Sequence, residues 1–248
     1  MVRRYKMISI KLISCIGLDY DRPLLSHFLK HYNALHIDHI HLIIHKKTDF
    51  ECKEVYNEIK EIIGDTNLTL VKWVGLFDGV TKTHKLNKII QDSLEDYIMM
   101  ADVDEHQIWN KPIREYLKDA NFRWGKLQDR ESPKKELIEI TDKPLSEQFP
   151  LVTNRTVWTD LYKPCIFPSH DRLTSPHHLK VNLNNKKDII EINHYRWIKG
   201  RLEKTKERKE YYTELNKTGY HLEDSPWKTI PNWEGDYILR MYKPGKLL

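Results

Sequence analysis

Four short runs rich in isoleucine, leucine and methionine alternate with three segments whose apolar residues recur at helical spacing, all within the first hundred or so residues. The first run, Met7–Gly17 (MISIKLISCIG), predicts a buried strand closed by a glycine. Acidic Asp19 and Asp21 then precede Pro23, the pattern of a helix entry, and Leu24, Leu25, Phe28, Leu29, Tyr32 and Leu35 follow with helical spacing. A second strand is expected over Ile37–His45. Thr48 and Asp49 are placed to cap a helix over Phe50–Ile63. A third strand is expected at Leu68–Val74, a helix at Val80–Leu94 carrying Leu86, Ile89, Ile90 and Leu94, and a fourth strand at Tyr97–Ala101. An alternation of this kind implies an α/β fold with a mainly parallel central sheet flanked by helices.

In such sheets ligands bind outside the carboxyl ends of the strands. The sharpest chemical feature falls there: Asp102-Val103-Asp104-Glu105-His106 follows the fourth strand directly. Three carboxylates in four positions are costly unless solvated, paired or bound to a cation. Carboxylates on alternate residues suit one hard cation, Mn²⁺ or Mg²⁺, that also reaches phosphate oxygens. A solvated acidic turn is the plain alternative, and a bare Asp-x-Asp decides little without its placement.

Beyond this motif a helix is expected at Ile113–Leu117 and a strand at Phe122–Leu127, followed by a polar, proline-punctuated stretch from Arg130 to Pro150. Thr153–Trp158 and Cys165–Phe167 read as short strands or a loop insert, Asp188–Ile192 as a strand, and Tyr195–Tyr212 as a long basic helix. The tail from Gly219 reads as irregular. With no linker, repeat or low-complexity tract, a single domain over 1–248 is expected.

Three widely spaced cysteines without a CxxC give neither a disulfide framework nor a zinc knuckle. No apolar run reaches the ~20 residues of a membrane span. The basic start lacks the pattern of a signal peptide, so a cytoplasmic protein is expected. The net charge of +5 calls for an anionic partner without naming it. The stretch Arg196–Lys209 (RWIKGRLEKTKERK) reads as a salt-bridged solvent helix, with peripheral contact to an anionic membrane as its functional reading.

The strand closing in Asp-x-Asp-Glu, after LISCIGLDYDRPLLSHFLKHYNALHIDHIHLII, resembles the glycosyltransferase family 2-like enzymes. It is similar to the branch carrying a "DVDEF" stretch, with His106 in place of the aromatic. Gln128-Asp129-Arg130, Glu147-Gln148-Phe149-Pro150 and His194-Tyr195-Arg196-Trp197 also look like that branch. The resemblance implies a GT-A fold, with residues 1–106 binding a nucleotide sugar and 107–248 binding the acceptor. It implies a UDP- or GDP-hexose donor, a glycan or lipid-linked acceptor, and no nucleic acid partner. Asp102 would approach the ribose and the metal, and Asp104 would be the principal metal ligand. The loop Gly17–Arg22, including Asp19, would lie beside the nucleotide. Asp49 would bond the base, and Lys85 and Asn87 would face the nucleotide or diphosphate.

For the base that deprotonates the acceptor, Asp129 and Glu147 are the candidates, Asp129 first. A surface ion pair is the plain reading of each. His194 is the expected third metal ligand, with His178 of the His177-His178 pair second. His36, His39, His41 and His45 read as core or surface histidines. Arg196 and Lys199 are candidates for the diphosphate. Two other functions compete: a metal-dependent nuclease or phosphotransferase using Asp102, Asp104 and Glu105, and a binding module without turnover.

Overall fold

The structure is a computed structural model that describes residues 8–118, 122–153, 162–175, 178–179, 189–217, 242–243 and 246–247. His177 and most of the segments expected at Thr153–Trp158 and beyond Gly219 lie outside these residues.

The expected βα alternation is present. Strand β1 (Ile10–Gly17) leads into helix α1 (Leu18–Asn33), β2 (His39–Lys46) into α2 (Cys52–Ile63), and β3 (Asn67–Val74) into α3 (Gly79–Gln91), which returns the chain to β4 (Tyr97–Met100). Then come β5 (Glu105–Ile108), α4 (Ile113–Tyr116), β6 (Arg123–Glu131), α5 (Leu145–Gln148), β7 (Leu151–Thr153) and β8 (Tyr162–Pro168). The described chain closes with β9 (Leu173–Ser175), β10 (His178–Leu179), β11 (Ile190–His194), α6 (Arg201–Lys217), β12 (Tyr242–Lys243) and β13 (Lys246–Leu247).

The main sheet has the order β3-β2-β1-β4-β8-β6-β11-β5, with β7 paired to β6. The first four strands are parallel, whereas β8 runs antiparallel to both β4 and β6. Strand β1 is buried along nearly its whole length, as a central parallel strand must be. Its odd-numbered residues Ile13 and Cys15 join Ile43, Trp73, Ile98 and Met100 in a core closed by Leu86, Ile89 and Ile90 of α3. The alternate residues point to the opposite face, where α1 contacts β1 and β2.

Contacts gather the chain into two compact units, Met1–Leu127 with Asp160–Asn193, and Gln128–Thr159 with His194–Leu248. In the first, Gly125 of β6 lies so close to β8 and β11 that a Cβ there would clash with Cys165 Sγ and Ile192 Cδ1.

Three elements differ from the sequence reading for local reasons. Helix α3 starts at Gly79 because the Asp78 side chain accepts from Thr81 N at 2.7 Å, and it stops before Leu94, which is exposed. Helix α2 starts after Glu51 rather than at a Thr48 or Asp49 cap. The basic helix starts at Arg201, not Tyr195. Gly200 turns the chain at φ 89°, and the preceding Tyr195, Arg196, Trp197 and Ile198 are all buried, with Ile198 bridged to Ile138.

Candidate functional site

The parallel strands place the site. From β1 the chain builds outward through β2 and β3, then crosses back so that β4 pairs with the other edge of β1. The carboxyl ends of β1 and β4 therefore flank the point where the winding reverses, the place such sheets leave a crevice. Gly17 and the start of α1 lie at one of these ends and Asp102 at the other.

A tight return between β4 and β5 fixes the acidic motif. Glu105 N donates to Asp102 O at 3.0 Å, and Asp102 N donates back to Glu105 Oε2 at 3.0 Å. Gln107 Nε2 donates to Met100 O at 2.8 Å and Tyr32 Oη to Glu105 O at 3.0 Å. Val103 is buried between two half-buried aspartates, Asp102 and Asp104. The turn is thus pinned by its own backbone and by α1.

Two lysines answer its charge. Lys82, in the first turns of α3, holds Asp102 Oδ1 at 2.6 Å. Lys163 lies 3.3 Å from Asp102 Oδ2 and 2.7 and 2.9 Å from the two oxygens of Glu105. Its position follows from register: residues 97, 98 and 99 of β4 face 168, 167 and 166 of β8, so the antiparallel count continues to 163 opposite 102. Burial works against the charge on both lysines, but the carboxylates outweigh it and raise each pKa above the ordinary lysine value. Both are ammonium groups at any working pH.

Glu105 is 1% exposed and held through both oxygens, which removes it from the expected acidic triad and leaves the nuclease reading without its third carboxylate. Among the described residues no group of three His, Cys, Asp or Glu side chains converges as a metal site. The donors at the turn are Asp102 and Asp104. Mg²⁺-like cations are commonly bound by one or two carboxylates plus substrate phosphates, whereas both oxygens of Asp102 are held here by lysines.

The other expected donor-site residues are placed unevenly. Asp19 accepts from Lys47 N at 3.0 Å, tying the ends of β1 and β2 together. Lys85 lies over the Trp73 ring at 5.7 Å, next to the His45–Trp73–Phe77 aromatic cluster at the ends of β2 and β3. Asp49 is exposed and ion-paired to Lys72 of β3 at 2.6 Å, which holds its pKa below the ordinary value. Asn87 is structural: its amide bonds both Leu173 N and Leu173 O at 2.9 Å, so it is spent on the backbone. The lysine that meets Asp102 is Lys82, one helical turn before Lys85. Its spacing from the capping Asp78 was the available signal.

A second cluster belongs to the other unit. Asp129 lies within β6 rather than after it, is 7% exposed, and accepts from His194 Nδ1 at 2.7 Å. Burial works to raise the Asp129 pKa, but the charges of His194 and Arg196 and the hydrogen bond from His194 hold it below the usual carboxylate value. Arg196 is 3% exposed and serves this buried carboxylate, a correction to its expected place on a solvent helix facing the diphosphate. Lys199 is exposed and ion-paired with Glu139. Glu147 points to solvent from α5, while the neighbouring Gln148 is buried and bonds Thr141 and Lys143. His178 Nδ1 is 2.7 Å from Ser175 Oγ on a short exposed hairpin.

The sequence matches no protein-family profile and no curated protein. Among solved structures, the chain is similar to HddC from Yersinia pseudotuberculosis at 8% identity and a TM-score of 0.36, covering 64% of this chain and 73% of that one. It is also similar to a protein from Bacillus anthracis assigned as a glucose-1-phosphate thymidylyltransferase, solved with sucrose. That match has 11% identity and a TM-score of 0.34, covering 65% of this chain and 72% of the other. Among the described residues no helix is long and apolar enough to cross a membrane.

Proposed function

We propose that the chain is a GT-A-type glycosyltransferase that moves a sugar from a nucleoside-diphosphate sugar, a UDP- or GDP-hexose, to a hydroxyl of a glycan or lipid-linked acceptor. The observation that carries this reading is Asp102: a half-buried carboxylate at the end of β4, at the point where the winding reverses, fixed between Lys82 and Lys163. A nucleoside diphosphate is the ligand whose charge and shape suit a crevice lined by alternating carboxylates and ammonium groups.

Asp102 and Asp104 would hold the Mn²⁺ or Mg²⁺ that accompanies the diphosphate. That cation would supply charge stabilisation to the leaving group. Lys163 keeps Asp102 and Glu105 in place, and Asp19 and the aromatic cluster at β2 and β3 line the nucleotide side. In the second unit, His194 acting with Asp129 is the pair suited to accept a proton. The carboxylate orients the ring and favours the tautomer with its proton on Nδ1, leaving Nε2 to accept. The cation-ligand role expected of His194 would use the same Nε2, so one role excludes the other while Asp129 holds Nδ1.

Thermal melts with UDP, GDP and dTDP, each with and without Mn²⁺, test the reading. UDP or GDP with Mn²⁺ should raise the midpoint, and Asp104→Ala should abolish the gain. No stabilisation by any of the three nucleotides in either condition would end this reading. A nucleotide-sugar hydrolysis panel with Mn²⁺ then identifies the donor, because slow donor hydrolysis needs no acceptor.

A further inference from the structure

At the amino ends of β1 and β2, a polar cluster ties the loop between α3 and β4 to the sheet. Lys11 and His39, partners in the β1–β2 register, share one carboxylate: Lys11 Nζ lies 2.7 Å from Glu95 Oε2, and His39 Nδ1 lies 2.8 Å from Oε1. Lys11 also donates to Ser93 Oγ at 3.1 Å, and Ser93 Oγ donates to Ile89 O of α3 at 2.7 Å. His39 Nε2 is 2.8 Å from Thr69 Oγ1 of β3, so the ring is fixed through both nitrogens. A separate set of bonds holds the next residue of the loop. Ser9 N and Oγ donate to Asp96 Oδ2 at 3.0 and 2.9 Å, and Asp96 N donates to Ser9 Oγ at 3.0 Å.

His41 stands beside this cluster without joining it. It shares a face of β2 with His39, and the two rings lie nearly parallel with centroids 5.8 Å apart. Its Nε2 is buried and has no hydrogen-bond partner among the described residues. The charged and titratable groups around it are Lys11 on β1, His39 on its own strand, and Glu95 and Asp92 beyond the end of α3; on β3 it faces Thr69. Both carboxylates are already engaged, Glu95 with Lys11 and His39, and Asp92 with Lys88 of α3 at 3.1 Å. A proton on His41 therefore brings a positive charge toward Lys11 with no carboxylate free to answer it. The strands cannot yield, because β1 and β2 are each held by backbone ladders on both sides. The loop is held to the sheet by side chains, so it is the part that gives way.

We propose that Lys11, His39, His41 and Glu95 form an acid-sensitive clasp: proton uptake by His41 releases Glu95 from Lys11 and His39, and the loop from Asp92 to Glu95 opens with the last turn of α3, while the sheet and the Ser9–Asp96 bonds stay closed. The clasp is independent of the nucleotide-sugar reading and stands or falls without it. Burial and then the charge of Lys11 push the His41 pKa down to about 4 in the closed form. Once the loop opens, the ring regains water and its ordinary value of 6.5. Between these limits the open form binds more protons, so opening becomes easier as pH falls, by up to about tenfold per pH unit.

The experiment is amide hydrogen exchange, read residue by residue by NMR on the full chain from about pH 7 to about pH 5 and corrected for the intrinsic exchange rate. The amides of Asp92 and Ser93, which donate to Lys88 O and Ile90 O, report the opening. Their opening constant should rise about tenfold or more over this range. The amide of Tyr97, which donates to Ser9 O, and those of β1 should stay level. His41→Gln should remove the rise, and Glu95→Gln should speed exchange at Asp92 and Ser93 already at neutral pH. If His41→Gln does not fold, titration of the His41 ring in the native chain decides: its midpoint should lie well below 6.5, and the Ser93 amide resonance should move with the same midpoint. A flat profile at Asp92 and Ser93 in the native chain overturns the proposal. So does a rise shared equally by the β1 amides, a folded His41→Gln chain that keeps the full rise, or a His41 ring that titrates like a free histidine.

Discussion

Two aspartates, half-buried Asp102 in the first unit and buried Asp129 in the second, are each balanced by nearby cations, but the cations differ in kind. Asp102 is balanced by two lysines that stay charged across the working pH range. Asp129 is balanced by a histidine, His194, whose Nδ1 lies 2.7 Å from its Oδ1, and by the charge of Arg196. Fixed charge suits holding an anion in place, whereas a titratable partner suits moving a proton.

The largest expected effect breaks the second half of this comparison. His194→Gln should lower kcat for transfer about 10²–10⁴-fold. Asp129→Asn should lower kcat as well, because the ring loses its orienting carboxylate. A variant with full kcat would take proton transfer away from this pair.

The first half breaks at Lys163. Lys163→Met leaves Glu105 buried without its partner, and removing one member of a buried ion pair costs about 3–5 kcal/mol. Urea unfolding should show a midpoint lowered accordingly, with an unchanged slope. A loss below about 1 kcal/mol would mean that Glu105 is not held as a charged group.

The Asp78 cap sharpens the same side. Asp78→Ala should cost about 1 kcal/mol of stability. Because it frees the turns that carry Lys82, it should also weaken nucleotide binding, measured by calorimetry with UDP and Mn²⁺. Stability lost without any change in binding would show that Lys82 does not depend on a fixed helix start.

The smallest effect lies away from both aspartates. His41 of β2 has its pKa pushed down to about 4, chiefly by burial and then by the charge of Lys11. Its folded pKa is below the ordinary value of 6.5, so the unfolded chain binds more protons between these limits. Native stability therefore falls as pH drops from about 6.5 toward 4, by at most about 1.4 kcal/mol per pH unit for one group. His41→Gln should flatten that part of a melting-temperature profile against pH. An equally steep profile in the variant would assign the acid sensitivity elsewhere.

The repeated βα pattern and the position of the acidic turn were legible in sequence because both are local. Apolar period and strand ends need only neighbours along the chain, and the first strands and helices fall within a few residues of their expected limits. Expectations failed where one residue type had two uses. Asn87 looked like a ligand-facing polar residue and is spent on the Leu173 backbone; Arg196 looked like part of a basic helix and is buried beside Asp129. Glycine explains the second error, since Gly200 at φ 89° ends the buried run and lets the helix begin only at Arg201.

By itself the sequence determined that a carboxylate cluster would end the fourth strand of an α/β sheet, because burial and alternation admit few other arrangements. Only the tertiary structure decided what balances it. Lys163 is 61 residues from Asp102 and comes opposite it through the antiparallel register of β8, while Lys82 comes from a helix start fixed by Asp78. Charge pairing is a property of distance in space. Nothing in the spacing of Asp102, Val103 and Asp104 says which lysines of the chain will stand beside them.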